Sequence, residues 1–151
     1  MGLLRQVDTT DRPLSGRKAL ILGGSGGIGR QLTLLLGEAG ANLMVHGGRN
    51  KEKLKNLLLD LRNRGYPAQG FLQQVQYADE LVDSVKKRMP FDIVVVSFGP
   101  FLQKSLADTT LPEWRRLVEL NLTLPGAIVS TVAPDMAARG WGRILLFGGT
   151  Q

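Results

Sequence analysis

The sequence predicts an α/β protein with a doubly wound parallel sheet, and two observations support this prediction. Apolar, strand-like runs alternate along the chain with segments whose leucines recur at helical spacing. The first apolar run, residues 18–22, ends in a glycine-rich turn that leads into a helical segment, residues 31–40. Strands and helices that alternate in this way form a parallel sheet with helices on both faces, joined by right-handed crossovers. The expected strand order is 3-2-1-4-5.

The other elements follow from apolar periodicity and from cap and turn residues. Asn50 is expected to cap the second helix, and Thr110 with Glu113 to form a capping box for the fourth. The third strand is polar and belongs at an edge, whereas the fourth is apolar throughout and belongs at the centre. The predicted strands are 18–22, 41–46, 68–75, 91–97 and 143–147; the predicted helices are 31–40, 51–64, 79–89 and 110–138, with a kink at Pro125 and Gly126.

Length and composition limit the function classes. The 151 residues are predicted to form one domain, 1–151, and 43% hydrophobic with 21% charged residues is typical of a globular protein. The net charge of +6 is spread over separate basic segments without interleaved aromatics, which argues against a nucleic-acid partner. No apolar run or leader predicts a membrane protein, and the absence of cysteine fits the cytoplasm. One histidine, His46, predicts no metal site.

The glycine-rich turn is the strongest functional feature. Gly24-x-Gly26-x-x-Gly29 fits the dinucleotide fingerprint, with an apolar strand before it and a helix after it. Glycines let the backbone approach a pyrophosphate, and the N-terminus of the helix offers free N–H groups and a partial positive charge. The predicted cofactor-binding residues of this loop are Gly23, Gly24, Ser25, Gly26, Gly27, Ile28 and Gly29.

Arg49 follows the second predicted strand, where the adenosine ribose lies in nicotinamide-binding folds. An acidic residue at this place would bind the 2′-hydroxyl of NAD, whereas an arginine accommodates the 2′-phosphate of NADP. No Asp or Glu occurs between Ala41 and Lys51. Arg49 and its neighbour Asn50 therefore predict NADP as the cofactor in preference to NAD. The simpler alternative is a solvated arginine at the start of a helix.

The spacing Gly23-x-x-x-Gly27-Ile28-Gly29 resembles the loop of the short-chain dehydrogenase/reductase family. Further segments in family order extend the resemblance from Arg17 to Thr150. The family's strand-4 segment is matched by residues 92–99, and its third-strand position near the adenine by residues 74–75. The resemblance, which is to the 3-oxoacyl-carrier-protein reductase branch, implies a Rossmann-type fold. It also implies cofactor contacts by Gln74, Val75, Ser97, Phe98 and Gly99.

The catalytic part of the resemblance is incomplete. Residues 113–123 resemble the family's fourth-helix segment, so Asn121 is expected to support catalysis through a backbone carbonyl that holds a water in the proton relay. The family's fifth strand ends in Ser-Ser, whereas this chain has Gly148 and Gly149, with Thr150 as a candidate hydroxyl one place on. Neither of its two tyrosines is followed by lysine four residues later, so the family's Tyr-x-x-x-Lys pair is absent.

The resemblance thus implies the NADP-binding part of an oxidoreductase that moves hydride between NADPH and a small carbonyl or alcohol substrate. The chain is expected to lack the C-terminal strands of the family, to be inactive alone and to form a homo-oligomer. A non-catalytic dinucleotide-binding module or sensor is the alternative, and Gly148 with Gly149 favours it. A different Rossmann enzyme, such as a methyltransferase, is disfavoured because no acid follows the second strand.

Overall fold

Five parallel strands form one sheet in the order β3-β2-β1-β4-β5. The computed structural model describes residues 12–147. The strands are β1 (Lys18–Leu22), β2 (Asn42–Gly47), β3 (Ala68–Leu72), β4 (Ile93–Val96) and β5 (Arg143–Leu146). The predicted fold class and strand order are therefore confirmed.

Helices cover both faces of the sheet, and the strands alternate their side chains between the two resulting cores. Leu20 and Val94 face a core with α3 and α5, whereas Ile21 and Val95 face a core with α2. Because successive side chains of a strand point to opposite faces, a strand buried on both faces must be apolar throughout. The helices are α1 (Gly27–Glu38), α2 (Lys51–Asn63), α3 (Ala78–Lys86), α4 (Leu111–Val118) and α5 (Leu124–Ala138).

Several element boundaries differ from the predicted ones by one to four residues, and two of these differences have a clear physical reason. The first helix begins at Gly27 and not at residue 31, because the Arg30 N–H donates to the Gly26 carbonyl, 2.7 Å away, and closes the first turn. β3 ends at Leu72 and not at residue 75, because its partner β2 ends at Gly47. The Gly47 carbonyl accepts the last hydrogen bond of this ladder from the Gln73 N–H at 2.9 Å. The edge position predicted for β3 is confirmed.

The fourth predicted helix is α4 and α5 joined by a π-helical segment, Glu119–Thr123. The irregularity lies before the kink that was predicted at Pro125 and Gly126. Within it the Leu124 N–H donates to the Glu119 carbonyl, five residues back. The physical reason is Pro125: proline has no N–H, and its ring clashes with the carbonyl four residues earlier, which here belongs to Asn121. A widened turn accommodates that ring.

The stretch Leu111–Ala138 is long and apolar enough to cross a membrane by length and composition alone. Its packing gives another reason for its apolar character. Four side chains at helical spacing are buried in the core beside β4. They are Leu124, Ile128, Val132 and Met136. A helix packed on a sheet in this way needs an apolar stripe wherever it lies.

Candidate functional site

A cavity of about 360 Å³, here called the nucleotide cavity, opens at the carboxyl ends of β1 and β4. The strand order reverses between these two strands, which is where doubly wound sheets bind their ligands. Most of the predicted cofactor residues line it. They are Gly23, Ser25, Gly26, Arg49, Gln74, Val75, Ser97, Phe98 and Gly99.

The loop between β1 and α1 makes a tight turn under this cavity. Gly23 has φ +80°, a conformation that side chains rarely adopt, and its carbonyl accepts from the Gly26 N–H at 3.1 Å. Within the part of the chain that the structure describes, no side chain caps the N-terminus of α1, and the first turn of α1 contains no acidic residue. The first N–H groups of α1 and its partial positive charge are therefore available to an anion.

The remaining loop residues divide by what surrounds them. A side chain at Gly24 would lie 2.6 Å from Val45 Cγ1, and one at Gly29 would lie 2.6 Å from Ser97 Oγ. These two glycines let α1 pack tightly on the sheet. A side chain at Gly27 would meet no protein atom within 4 Å among the described residues, so this position is open. Ile28 lines a neighbouring cavity.

Arg49 and Arg116 provide the charge of the nucleotide cavity. Within residues 12–147 neither guanidinium forms an ion pair, and no carboxylate lines the cavity. Arg116, which approaches from α4, was not predicted to lie in the site. Asn50 does not line the cavity: its Oδ1 accepts from the Lys53 N–H at 2.9 Å, so it caps α2 as expected.

His46 is a second residue that the sequence analysis did not place in the site. Its ring is 2% exposed and lies beneath the glycine loop, where Nδ1 accepts from the Gly23 N–H at 3.2 Å. Nε2 lies 2.8 Å from the Gln73 carbonyl oxygen. Burial lowers the pKa of His46, the hydrogen bond to Gln73 opposes that shift, and the positive charge of Arg88 adds to it. A polar residue that directly follows the apolar stretch Leu43–Val45 of β2 was the available signal.

The end of β4 is fixed by two side chains. Ser97 Oγ donates to the Leu22 carbonyl at 2.9 Å and so joins the ends of β4 and β1. Asn121 Nδ2 donates to the Pro100 carbonyl at 2.8 Å, and its Oδ1 occupies the space that a side chain at Gly99 would need. Gly99 is therefore required by the packing of Asn121, whatever else it contacts.

A second cavity of about 830 Å³ adjoins the first and shares with it the wall formed by residues 97–100. Asn121 lies in this second cavity, together with Ile28 and Lys104. Its other walls are mainly apolar. They include Phe101, Leu102, Leu106, Trp114, Leu117, Val118, Leu122 and Phe147. The site thus joins a polar, cationic compartment to a larger apolar one. The predicted hydroxyl of Thr150 lies outside the described residues, as do Gly148 and Gly149.

The fold of this chain is similar to that of solved structures. A metagenomic short-chain oxidoreductase in complex with NADP is 26% identical with a TM-score of 0.81, over 91% of this chain and 64% of that one. A gluconate 5-dehydrogenase from Burkholderia cenocepacia, in complex with NADP and tartrate, is 33% identical with a TM-score of 0.74, over 90% of this chain and 55% of that one.

Relatives known from sequence agree with the structures. Dehydrogenase/reductase SDR family member 4 of Mus musculus is 27% identical over 146 residues, which are 93% of this chain and 52% of the mouse protein. The chain therefore spans about half the length of this relative. A family model described as short chain dehydrogenase matches residues 17–149. With the glycine loop, the strand order and the cavity at their junction, this match shows that the chain belongs to the short-chain dehydrogenase family.

Proposed function

We propose that this chain is the NADP-binding part of an oxidoreductase that transfers hydride between NADPH and a small carbonyl or alcohol substrate. One observation carries the proposal: among residues 12–147, the nucleotide cavity combines an uncapped helix N-terminus with two arginines that form no ion pair, and no carboxylate lines it. A dinucleotide with a 2′-phosphate has the complementary charge. The NADP complexes among the similar structures support the same assignment.

The described residues fit the parts of such a cofactor. The first turn of α1, which begins at Gly27, would hold the pyrophosphate, because its leading N–H groups have no partner within the helix. Arg49 would bind the 2′-phosphate through charge-assisted hydrogen bonds. Gln74 and Val75 would lie beside the adenine. The nicotinamide ring of the bound cofactor supplies or accepts the hydride.

The apolar cavity is the place for the substrate. It adjoins the nucleotide cavity along Ser97–Pro100, so a substrate held there would lie next to the end of the cofactor. Its apolar walls favour a carbonyl or alcohol compound with an apolar body. Asn121 would support the proton relay through its backbone carbonyl, since the ordinary helical donor to this carbonyl would be the N–H that Pro125 lacks.

A non-catalytic dinucleotide-binding module or sensor is the second candidate. The observation that favours it is Gly148-Gly149 at the place where the family has Ser-Ser. The candidates differ in chemistry and not in binding, because both use the nucleotide cavity. We expect cofactor binding in either case and turnover only where a general acid is present.

Calorimetric titration with NADP and NAD tests the binding proposal. A charge-assisted hydrogen bond is worth about 1.5–3 kcal/mol, so NADP should bind roughly ten- to a hundredfold more tightly than NAD. Arg49→Ala should remove most of this preference and leave NAD binding nearly unchanged. Arg62→Ala is the matched control, because Arg62 is an exposed arginine on α2 that does not line the nucleotide cavity.

Two results would contradict the proposal. Equal binding of NAD and NADP by the wild-type chain would contradict the proposal that Arg49 determines the choice of cofactor. Failure of the wild-type chain to bind either cofactor would contradict the assignment of the cavity as a nucleotide site. Gly29→Asp should weaken both cofactors together, since a side chain there meets the Gly23 carbonyl and brings a negative charge towards the loop.

A further inference from the structure

The ring of His46 connects the ends of β1 and β3, two strands that are not neighbours in the sheet. β1 and β3 lie on either side of β2, and His46 near the end of β2 reaches both. Its Nδ1 accepts from the Gly23 N–H at 3.2 Å, and its Nε2 lies 2.8 Å from the Gln73 carbonyl oxygen. Gly23 begins the glycine loop, and Gln73 precedes the residues expected beside the adenine.

These two partners determine the protonation state of the ring. A backbone N–H can only donate and a carbonyl can only accept, so Nδ1 must carry a lone pair and Nε2 must carry the proton. The neutral ring with the proton on Nε2 satisfies both. A doubly protonated imidazolium would set an N–H of the ring against the N–H of Gly23, and that hydrogen bond would be lost.

The surroundings of the ring favour the same state. Phe71 on β3 and Phe98 after β4 pack against the ring at centroid distances of 5.2 and 5.6 Å. The charged group that acts on His46 is Arg88, whose guanidinium carbon lies 4.1 Å from the centre of the Phe71 ring. Apolar rings and a nearby cation both disfavour an imidazolium. Arg49 and Arg116 line the same cavity as His46 and add no negative charge.

We propose that His46 is a positioning residue of the nucleotide cavity, which holds the glycine loop and the adenine side of the site in register through a neutral, bridging imidazole. The proposal rests on the proposed function for its ligand. It assigns to His46 no contact with the reacting atoms. The loop is held at Gly23, the residue whose positive φ starts the turn. A loop released at that point would present its N–H groups to a phosphate less well, because binding would have to order them first.

Three variants separate the two hydrogen bonds. In His46→Asn the amide oxygen lies near the position of Nδ1 and can still accept from Gly23. In His46→Gln the amide nitrogen lies near the position of Nε2 and can still donate to Gln73. His46→Leu fills the space with an apolar side chain and removes both hydrogen bonds. We expect NADP affinity to fall least in His46→Asn and by roughly two- to tenfold more in His46→Gln and His46→Leu, which is the worth of one net hydrogen bond.

The pH profile distinguishes positioning from a general loss of stability. The ratio of wild-type to His46→Asn affinity for NADP should be constant above pH 6.5 and fall below it, as His46 takes up a proton. The 2′-phosphate titrates equally in both measurements and cancels in the ratio. Hydrogen exchange of the Gly23 amide in the free protein is the readout without nucleotide, and it should be faster in His46→Gln than in His46→Asn.

The outcomes are distinct. Equal Gly23 exchange in all three variants, or a ring that nitrogen NMR shows protonated on Nδ1 at neutral pH, would overturn the positioning role. A wild-type chain that binds no NADP would overturn the nucleotide assignment together with its positioning role, and the exchange data would then decide only whether His46 orders the loop. Slower Gly23 exchange in wild type and His46→Asn, with the expected order of affinities, would support the proposal.

Discussion

The glycine loop contains glycines that the packing of the described residues requires and at least one, Gly27, that this packing does not require, and substitution by alanine separates them. Gly23 has φ +80°, and a side chain there would lie 2.8 Å from Phe98 Cβ. Gly27 has an ordinary helical conformation, and a side chain there would meet nothing within 4 Å among the described residues. Gly65 has φ +75° but open space around it, so it isolates the backbone effect.

These geometries give different magnitudes. An alanine forced to positive φ costs about 1–2 kcal/mol, which is the whole effect expected for Gly65→Ala. Gly23→Ala adds an overlap with Phe98, and overpacking costs about 1–3 kcal/mol, so the total is about 2–5 kcal/mol. Gly27→Ala should leave the free energy of unfolding unchanged or raise it by up to about 1 kcal/mol, because alanine favours the helix.

Urea unfolding of the three variants measures these differences through the midpoint at constant slope. NADP titration of the same samples supplies the second half of the experiment. Gly27→Ala should weaken NADP binding although it does not destabilise the protein, because its methyl group occupies space at the open N-terminus of α1. The reasoning is refuted if Gly27→Ala destabilises as much as Gly23→Ala, or if Gly23→Ala unfolds like Gly65→Ala.

Three further predictions concern acid stability, turnover and assembly. Hydrogen bonds from Lys104 and then Thr110 lower the pKa of Glu113 from its usual 4.5 to about 2. The stability that these bonds give the folded protein is therefore complete above pH 4.5 and is lost as the pH falls towards 2, and Glu113→Gln should flatten this part of a pH-dependent unfolding curve. The chain alone should not oxidise NADPH above a no-enzyme control with ketones or acyl thioesters, since general-acid catalysis contributes about 10²–10⁴-fold; clear turnover would contradict this. Exposed Leu146 and Phe147 on the open side of β5 should cause concentration-dependent association in sedimentation, which Leu146→Lys should reduce; a monomer at high concentration would contradict it.

The fold was predictable because its signals are local or repeated. Each buried strand had to be apolar on both faces, so β1 and β4 could be read from composition alone. The spacing of the glycines predicts a strand before the loop and a helix after it. One boundary that was predicted wrongly depends on a partner elsewhere in the chain: β3 stops at Leu72 because β2, its only neighbour among the described strands, stops at Gly47.

Residues of the cavity could be predicted where the charge of the side chain and its position after a strand were both visible in the sequence. Arg49 could be identified because one cation follows a strand in a segment without carboxylates. His46 and Arg116 could not, since their place in the site depends on which elements meet. Arg116 reaches the cavity from α4, more than sixty residues from Arg49. His46 is placed by the pairing of β2 with both β1 and β3.

The π-helical segment shows how a local irregularity can connect the two compartments of the site. The Glu119 carboxylate accepts from the Ala78 N–H at 2.7 Å, so the segment is attached to the start of α3. Leu120 lines the nucleotide cavity, and Asn121 lines the apolar one. Three consecutive residues of an undistorted α-helix would be spread over about 200° of its circumference. Here Glu119 contacts α3, Leu120 lines the nucleotide cavity and Asn121 lines the apolar cavity. The π-helical segment before Pro125 therefore contributes to both cavities and is itself anchored on α3.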